Sequence, residues 1–437
     1  MLIRRLYWAL AGLGLLAACA APPAAPPGYP AAALTSTRSP HTAVPAPSAY
    51  PAPAVTVPAA APSATVPPTP ASPATAATTA PSPGSMVYMP IIGQGGAPAT
   101  AEPPAAVALP TETPPPWPEA LAGQTASKLG LHAMGTSDPY VMEFVRRVKP
   151  RVVKAVGDFG WLAEVKAIAP ETVTLGRVLP EQSEWIQTVD PALAGQAYVD
   201  INLATYQANP AADYWEGWNE FVPQNPDRMR WFAQFEAARA CAMQARGLRA
   251  AVGGFSTGVP EYALMADFLP ALEAAQRCGG IFHLHEYSSP TFDCGTNVNL
   301  PGVIPGAPAI GATAGPLALR YRIWYEALLK PRGLGAVPLV ISELGIDGVQ
   351  PHPSCGDAGG LGWKGYVDWW LQNGIGPSGP QAYVNVLQWY DAEMRRDPYV
   401  LGGTLFTANA LNPDNEWHAF DLHEVLVPLA VYAAGQR

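Results

Sequence analysis

Three glutamates stand out for the company they keep. Residues 214–221 read YWEGWNEF, which places Glu216 and Glu220 four apart among aromatic residues with Asn219 beside the second; residues 341–345 read ISELG, with Glu343 at their centre. Two carboxyls brought face to face suit the cleavage of a glycosidic bond. One protonates the leaving oxygen while the other attacks the anomeric carbon or activates water. Further polar residues, His132, His285 and Tyr287, interrupt otherwise apolar runs. Glycosidase chemistry of this kind requires no cofactor and no metal.

These residues need elements to position them. From residue 128 short apolar runs alternate with longer amphipathic ones, the pattern of βα units around a parallel sheet. Candidate strands cover residues 128–134, 151–157, 172–179, 214–221, 249–256, 281–288, 338–345 and 401–408. Between them lie capped helices. Asn225-Pro226-Asp227 offers an N-cap, a proline at the first helical position and an acid in the first turn of a helix running to about Gly247. Gly279-Gly280 ends another that starts near Pro260. Eight such units predict a (β/α)8 TIM barrel, an α/β fold, over residues 125–437. In such a barrel the C-terminal strand ends form the mouth and hold the active site.

Position along the strands then separates the glutamates. Glu220 and Glu343 fall at the ends of the fourth and seventh strands, facing across the mouth, with His132, Asn219, His285 and Tyr287 on the same rim. Strand alternation puts Glu216, Trp218 and Glu220 on one side, with Glu216 about 13 Å deeper. A carboxylate buried there needs a cation such as Lys154 or Arg177. His283 lies further down than His285 and is expected to be a hydrogen-bonded core residue.

Trp218-Asn219-Glu220, His285-Glu286-Tyr287 and Ser342-Glu343-Leu344-Gly345, in that order across residues 128–437, resemble the clan A glycoside hydrolases, which include cellulases, xylanases, β-galactosidases and endo-galactanases. The resemblance implies that Glu220 is the general acid/base, held protonated, and that Glu343 is an ionised nucleophile, with carboxyls about 5–5.5 Å apart and retention of configuration. It also implies that Asn219 bonds the sugar 2-hydroxyl, that Tyr287 orients Glu343, and that His285 contacts substrate. His132 is open to a substrate-binding or an inner-layer role. The pattern departs from the clan at the eighth strand, where a floor tryptophan is common and this chain reads LFTANA. Phe406 or Trp417 is expected to take its place. No arginine matches on the second strand, leaving Lys154 and Arg177 as candidates beside the nucleophile.

The rest of the chain differs in kind. Of its 51 prolines, 27 lie between Pro22 and Pro118, in a stretch of Ala, Thr, Ser, Gly and Val almost without charge. Such a composition cannot bury enough apolar surface to offset its ordering entropy, so residues 20–124 read as a disordered linker. The apolar island at 86–92, MVYMPII, is unexplained by that reading. Residues 1–19 carry two arginines, a short apolar run and Leu16-Ala17-Ala18-Cys19, which resembles a bacterial lipobox and implies lipidation at Cys19. The protein is thus expected on the outer face of a bacterial membrane, held by a lipid anchor alone and acting as a monomer on carbohydrate from outside. Four cysteines remain, for which the pairs Cys241–Cys278 and Cys294–Cys355 are expected. The net charge of −9 argues against a nucleic-acid partner. Two other functions share these residues: a barrel that binds carbohydrate without cleaving it, and a transglycosylase using a sugar acceptor in place of water.

Overall fold

A computed structural model of the chain describes residues 115–135, 138–179, 189–296, 304–348 and 360–436. The fold is a (β/α)8 TIM barrel. Its strands are β1 (Leu129–Met134), β2 (Val152–Val156), β3 (Val173–Arg177), β4 (Tyr214–Trp215), β5 (Ala251–Phe255), β6 (Ile281–Ser288), β7 (Leu339–Ile346) and β8 (Val400–Ala408). They pair in parallel in the order β4-β3-β2-β1-β8-β7-β6-β5, and a parallel bridge between Trp215 and Ala250 closes the ring. The principal helices between and after them are α1 (Pro139–Val148), α2 (Leu162–Ile168), α3 (Pro191–Ala208), α4 (Pro226–Gln244), α5 (Leu269–Arg277), α6 (Tyr321–Ile323, continued by a π-helical turn over Trp324–Leu329), α7 (Gly379–Arg396) and α8 (Leu426–Gly435). Among the described residues no helix is long and apolar enough to cross a membrane.

The helix signals act as their chemistry suggests. Asn225 accepts from the Arg228 N–H at 2.9 Å and caps α4, and Asp138 does the same for α1 through Val141 at 2.8 Å. Cys241 on α4 and Cys278 after α5 form a disulfide. Cys294 is also disulfide-bonded, whereas Cys355, its expected partner, lies outside the described residues, as do Cys19 and the island 86–92. The last residues of the expected linker pack on the barrel: Leu121 donates its N–H to Arg147 O at 2.9 Å, and the Trp117 ring lies 6.0 Å from that of Tyr140. The domain therefore begins before residue 125, because α1 offers this segment both backbone partners and an aromatic face.

The fourth strand corrects the sequence reading. Regular pairing covers only Tyr214 and Trp215, not residues 214–221. The cause is Arg239 of α4, fully buried, whose Nη1 donates to Trp215 O at 3.1 Å and whose Nη2 donates to Ala251 O, while Glu236 pairs with it at 2.7 Å. The guanidinium satisfies the carbonyls that a longer ladder would have used. Only glycine fits at the next step, since a Cβ on Gly217 would stand 2.6 Å from Glu236 Oε1. Beyond it the alternation fails. Glu216 turns into the barrel, but Trp218 turns outward, stacking on Phe235 with ring centroids 4.6 Å apart.

Burying an ion pair is stabilising only while both partners remain. Arg239→Met strands Glu236 and two carbonyls, and is expected to lower unfolding free energy by about 3–5 kcal/mol in urea denaturation. Replacing both members, Glu236→Leu with Arg239→Met, should recover much of that loss. A single substitution as mild as the double would show that the seam between β4 and β5 is held by something else.

Candidate active site

Inside the barrel, polarity rises from bottom to mouth. Val152, Leu175, Ala251, Ile281 and Val340 form an apolar layer near the N-terminal ends of their strands. Two residues further along three of these strands stand Lys154, His283 and Ser342, with Glu216 among them. His283 Nδ1 lies 2.8 Å from Ser342 Oγ and 3.6 Å from Glu216 Oε1, and is the core histidine its position predicted. Lys154 Nζ sits 2.9 Å from Glu216 Oε2 and 2.9 Å from Glu343 Oε1. Glu216 thus has the cation that its burial demands.

Glu343 reaches the mouth because β7 breaks its alternation. The β6–β7 register pairs Leu284 with Ile341 and then His285 with Glu343, so Ser342 is an extra residue. The bulge lets Ser342 and Glu343 both point inward, the usual way a strand re-aims a side chain at a site. Glu343 Oε1 then accepts from Arg177 Nη1 at 2.8 Å as well as from Lys154, and Oε2 accepts from Tyr287 OH at 3.2 Å. Burial alone would push this carboxyl up, yet His285, Lys154 and Arg177 around it hold it well below the usual carboxylate range. Burial also opposes ionisation of Glu216, but Lys154, His283, Arg177 and His285 bring it down to about 2. Burial and the nearby Glu343 and Glu220 push the Tyr287 hydroxyl well up, so it stays a hydrogen-bond donor.

Glu220 approaches from the other side. Its φ of 49° is left-handed, a conformation that costs a non-glycine residue about 1–2 kcal/mol and marks a position fixed by its surroundings. One such fixture is close packing behind it: Gly254, at φ 70°, is so near that a Cβ there would stand 2.5 Å from Trp218 O. The Glu220 Oε1 lies 3.0 Å from His285 Nδ1, which is also 3.5 Å from Glu343 Oε2. Carboxylate oxygens of Glu220 and Glu343 and a ring nitrogen of His285 all lie within 4.8 Å of one another. The Glu220 side chain keeps 39% of its surface exposed against 7% for Glu343, so one carboxyl meets solvent while the other is enclosed.

The remaining sequence candidates divide. Asn219 joins the cluster through its carbonyl oxygen, which accepts from Arg177 Nη1. His132 is fully buried, with Nδ1 2.8 Å from Thr407 Oγ1 and Nε2 3.6 Å from Glu343 Oε1. It has no surface to offer a substrate, so its place among the substrate-binding residues is corrected to an inner-layer support; burial and Lys154 hold its ring well below the ordinary histidine value, hence neutral. Phe406 packs over it at 4.9 Å, 6.4 Å from Tyr287, and the half-buried Trp417 meets Phe406 edge-on at 5.2 Å. Trp215, Trp363 and Trp370 are buried packing residues. The sequence left Lys154 and Arg177 as rivals beside Glu343, and both occupy the place. Thr407 was missed; its only sequence signal was a hydroxyl in the apolar end of the eighth strand.

No protein-family profile and no curated protein matches the chain. Among solved structures it is similar to a glucosidase from Croceicoccus marinus, at 12% identity and TM-score 0.39 over 69% of this chain and 63% of that one. It is also similar to an endo-1,4-β-D-mannanase from Thermotoga petrophila, at 11% and 0.40 over 70% and 99%, and to an endo-β-1,4-glucanase from Xanthomonas axonopodis, at 11% and 0.39 over 70% and 99%. The chain thus spans less than two thirds of the length of the first. At identities this low the chemistry has to be read from the side chains.

The ion network makes a pH-dependent contribution with a definite sign. Glu216 and Glu343 both titrate lower in the folded chain than the ordinary glutamate value of about 4.3. The stability they contribute is therefore present above that pH and lost as pH falls towards about 2. Lys154→Met should cost about 3–5 kcal/mol near pH 7, because two buried carboxylates lose their common cation. The gap from the parent should narrow as acid neutralises those carboxyls. Urea unfolding at a series of pH values checks this, and a gap independent of pH would mean that Lys154 acts only through packing.

Proposed function

We propose that the barrel is a glycoside hydrolase that cleaves O-glycosidic bonds of a poly- or oligosaccharide by double displacement. The observation that carries the reading is the pair of carboxyls, Glu220 and Glu343, with oxygens within 4.8 Å across the mouth. Retaining enzymes bring their carboxyls to about 5–5.5 Å, whereas inverting ones leave about 6.5–9.5 Å for a water. In the first step Glu343 Oε2 attacks the anomeric carbon while Glu220 gives its proton to the departing oxygen. Glu343 Oε1 is occupied by Lys154 and Arg177, which hold the carboxylate in place and leave the other oxygen for the sugar. Glu220 then takes a proton from water, which displaces Glu343 and restores the original configuration.

His285, between the carboxyls, touches both through Nδ1 and orients them; its side chain is fully buried, so the sugar contact expected of it is corrected to support of the pair. Asn219 addresses the 2-hydroxyl, held by Arg177. Tyr287 donates to the nucleophile. Phe406 and Trp417 supply an apolar floor against the sugar CH face. Cys19 is proposed as the lipidated N-terminus, tethering the enzyme to the outer side of the membrane through the proline-rich linker, where extracellular carbohydrate reaches it.

The full chain should hydrolyse members of a panel of aryl β-glycosides and β-linked polysaccharides, with the β-anomer formed first by NMR. Glu220→Gln should lower kcat by about 10²–10⁴-fold on substrates with poor leaving groups. Glu343→Gln should abolish turnover. Turnover by Glu343→Gln at the parental rate, or first release of the α-anomer, would sink the mechanism. In cells fed a palmitate analogue, the parent should take up label and Cys19→Ser should not; equal labelling of both would remove the anchor from this account.

A further inference from the structure

Glu216 is a buried charge with no part in the two displacement steps. It lies in the layer below the mouth, 2% exposed, and touches no space a sugar could enter. The groups facing it are Lys154 from β2, Arg177 from β3, and His283 and His285 from β6; Glu343 of β7 is reached through Lys154. Lys154 is itself fully buried and stands equally far, 2.9 Å, from Glu216 Oε2 and Glu343 Oε1. Within this buried layer two carboxylates, Glu216 and Glu343, face two cations, Lys154 and Arg177, so these charges balance. Removing one carboxylate would leave Glu343 alone against both.

We propose that Glu216 is a positioning residue for the nucleophile: by taking half of the Lys154 ammonium's contacts it fixes where Lys154 stands and how tightly Glu343 is held. The proposal rests on the reading of Glu343 as the nucleophile. A carboxylate gripped by two unshared cations is a poorer nucleophile, because its lone pairs are already engaged and the attack must weaken that grip. Charge at Glu216 shares the ammonium and fixes its place, so that Glu343 is anchored through Oε1 by a divided contact while Oε2 stays reactive. A merely structural Glu216 would matter for folding alone.

Two variants of the full chain separate these roles. Glu216→Gln keeps the shape and removes the charge; Glu216→Asp keeps the charge on a shorter arm. In a crystal structure of Glu216→Gln, Lys154 Nζ should leave its place beside residue 216 and swing about Glu343 Oε1, carrying the Glu343 carboxylate out of line by on the order of 1 Å, a displacement that costs roughly 10²-fold in rate when it misplaces a reacting group. On whichever glycoside the parent turns over, kcat should fall by about that factor with KM nearly unchanged, since Glu216 does not touch the sugar. Glu216→Asp should recover a substantial part of kcat even if it is no more heat-stable than Glu216→Gln. A Lys154 that stays in place in Glu216→Gln overturns the proposal, and so does a kcat within twofold of the parent. Should the parent turn over nothing in the panel, the hydrolase reading fails while the crystal structure still decides whether Glu216 positions Lys154.

Discussion

The mouth of this barrel depends on one oxygen atom. Glu343 Oε1 accepts from Lys154 of β2 and Arg177 of β3, and through Lys154 it is joined to Glu216, just past β4. Four neighbouring or facing parts of the ring are thereby tied by charge at one level. None of these groups could be buried alone, because an isolated ion taken out of water carries a penalty of several kcal/mol. Each is tolerable only because the others are present. The same mutual dependence fixes the Glu343 carboxylate in one orientation, with Oε2 turned to Tyr287 and His285.

Two irregularities of the backbone deliver the carboxyls to this network. On β7 an extra residue at Ser342 changes the phase of the strand, so that an apolar layer at Val340 and a carboxylate at Glu343 can both face the interior. After β4 the chain leaves the sheet early, passes Arg239 and Glu236 at Gly217, and arrives at Glu220 in a left-handed conformation. An uninterrupted strand would have carried Trp218 to the inside and needed a partner for its indole there. Instead Trp218 stacks among Trp231, Phe232 and Phe235, and its packing holds the segment that presents Glu220. The departures from regular structure fall at the two carboxyls, where strain and bulges commonly serve a site.

The sequence revealed what depends on pattern and hid what depends on departures from it. Eight apolar runs alternating with amphipathic ones were enough for the barrel, and polar residues at the ends of those runs were enough to gather Asn219, Glu220, His285, Tyr287 and Glu343. The depth of Glu216 and its need for Lys154 followed from the expense of burying a lone charge. By contrast, the early end of β4 depends on Arg239, twenty-four residues beyond Trp215, donating to a backbone carbonyl; no local propensity encodes that. The burial of His132 depends on Thr407 and Phe406 at the far end of the chain. Strand alternation also gave the wrong side for Trp218, since period two holds only while the chain is paired.

The layering along the barrel axis gives these charges their strength. Below the ion layer the interior is filled by Val152, Leu175, Ala251, Ile281 and Val340, all fully buried, and Lys154 and Glu216 above them are buried as well. Above it, Glu220 is the most open member of the carboxyl pair, and the ring of Phe406 covers His132. A sugar seated over Phe406 and Trp417 would therefore remove solvent from the side on which, among the described residues, Glu220 meets it. Interactions among fixed charges grow as the surrounding dielectric falls, so on the proposed mechanism the hold of Lys154 and Arg177 on Glu343 would strengthen once a glycoside is seated. The balance of two carboxylates against two cations would then matter most, because an excess of either sign would hold Glu343, the proposed nucleophile, too firmly or leave it too loosely oriented to attack.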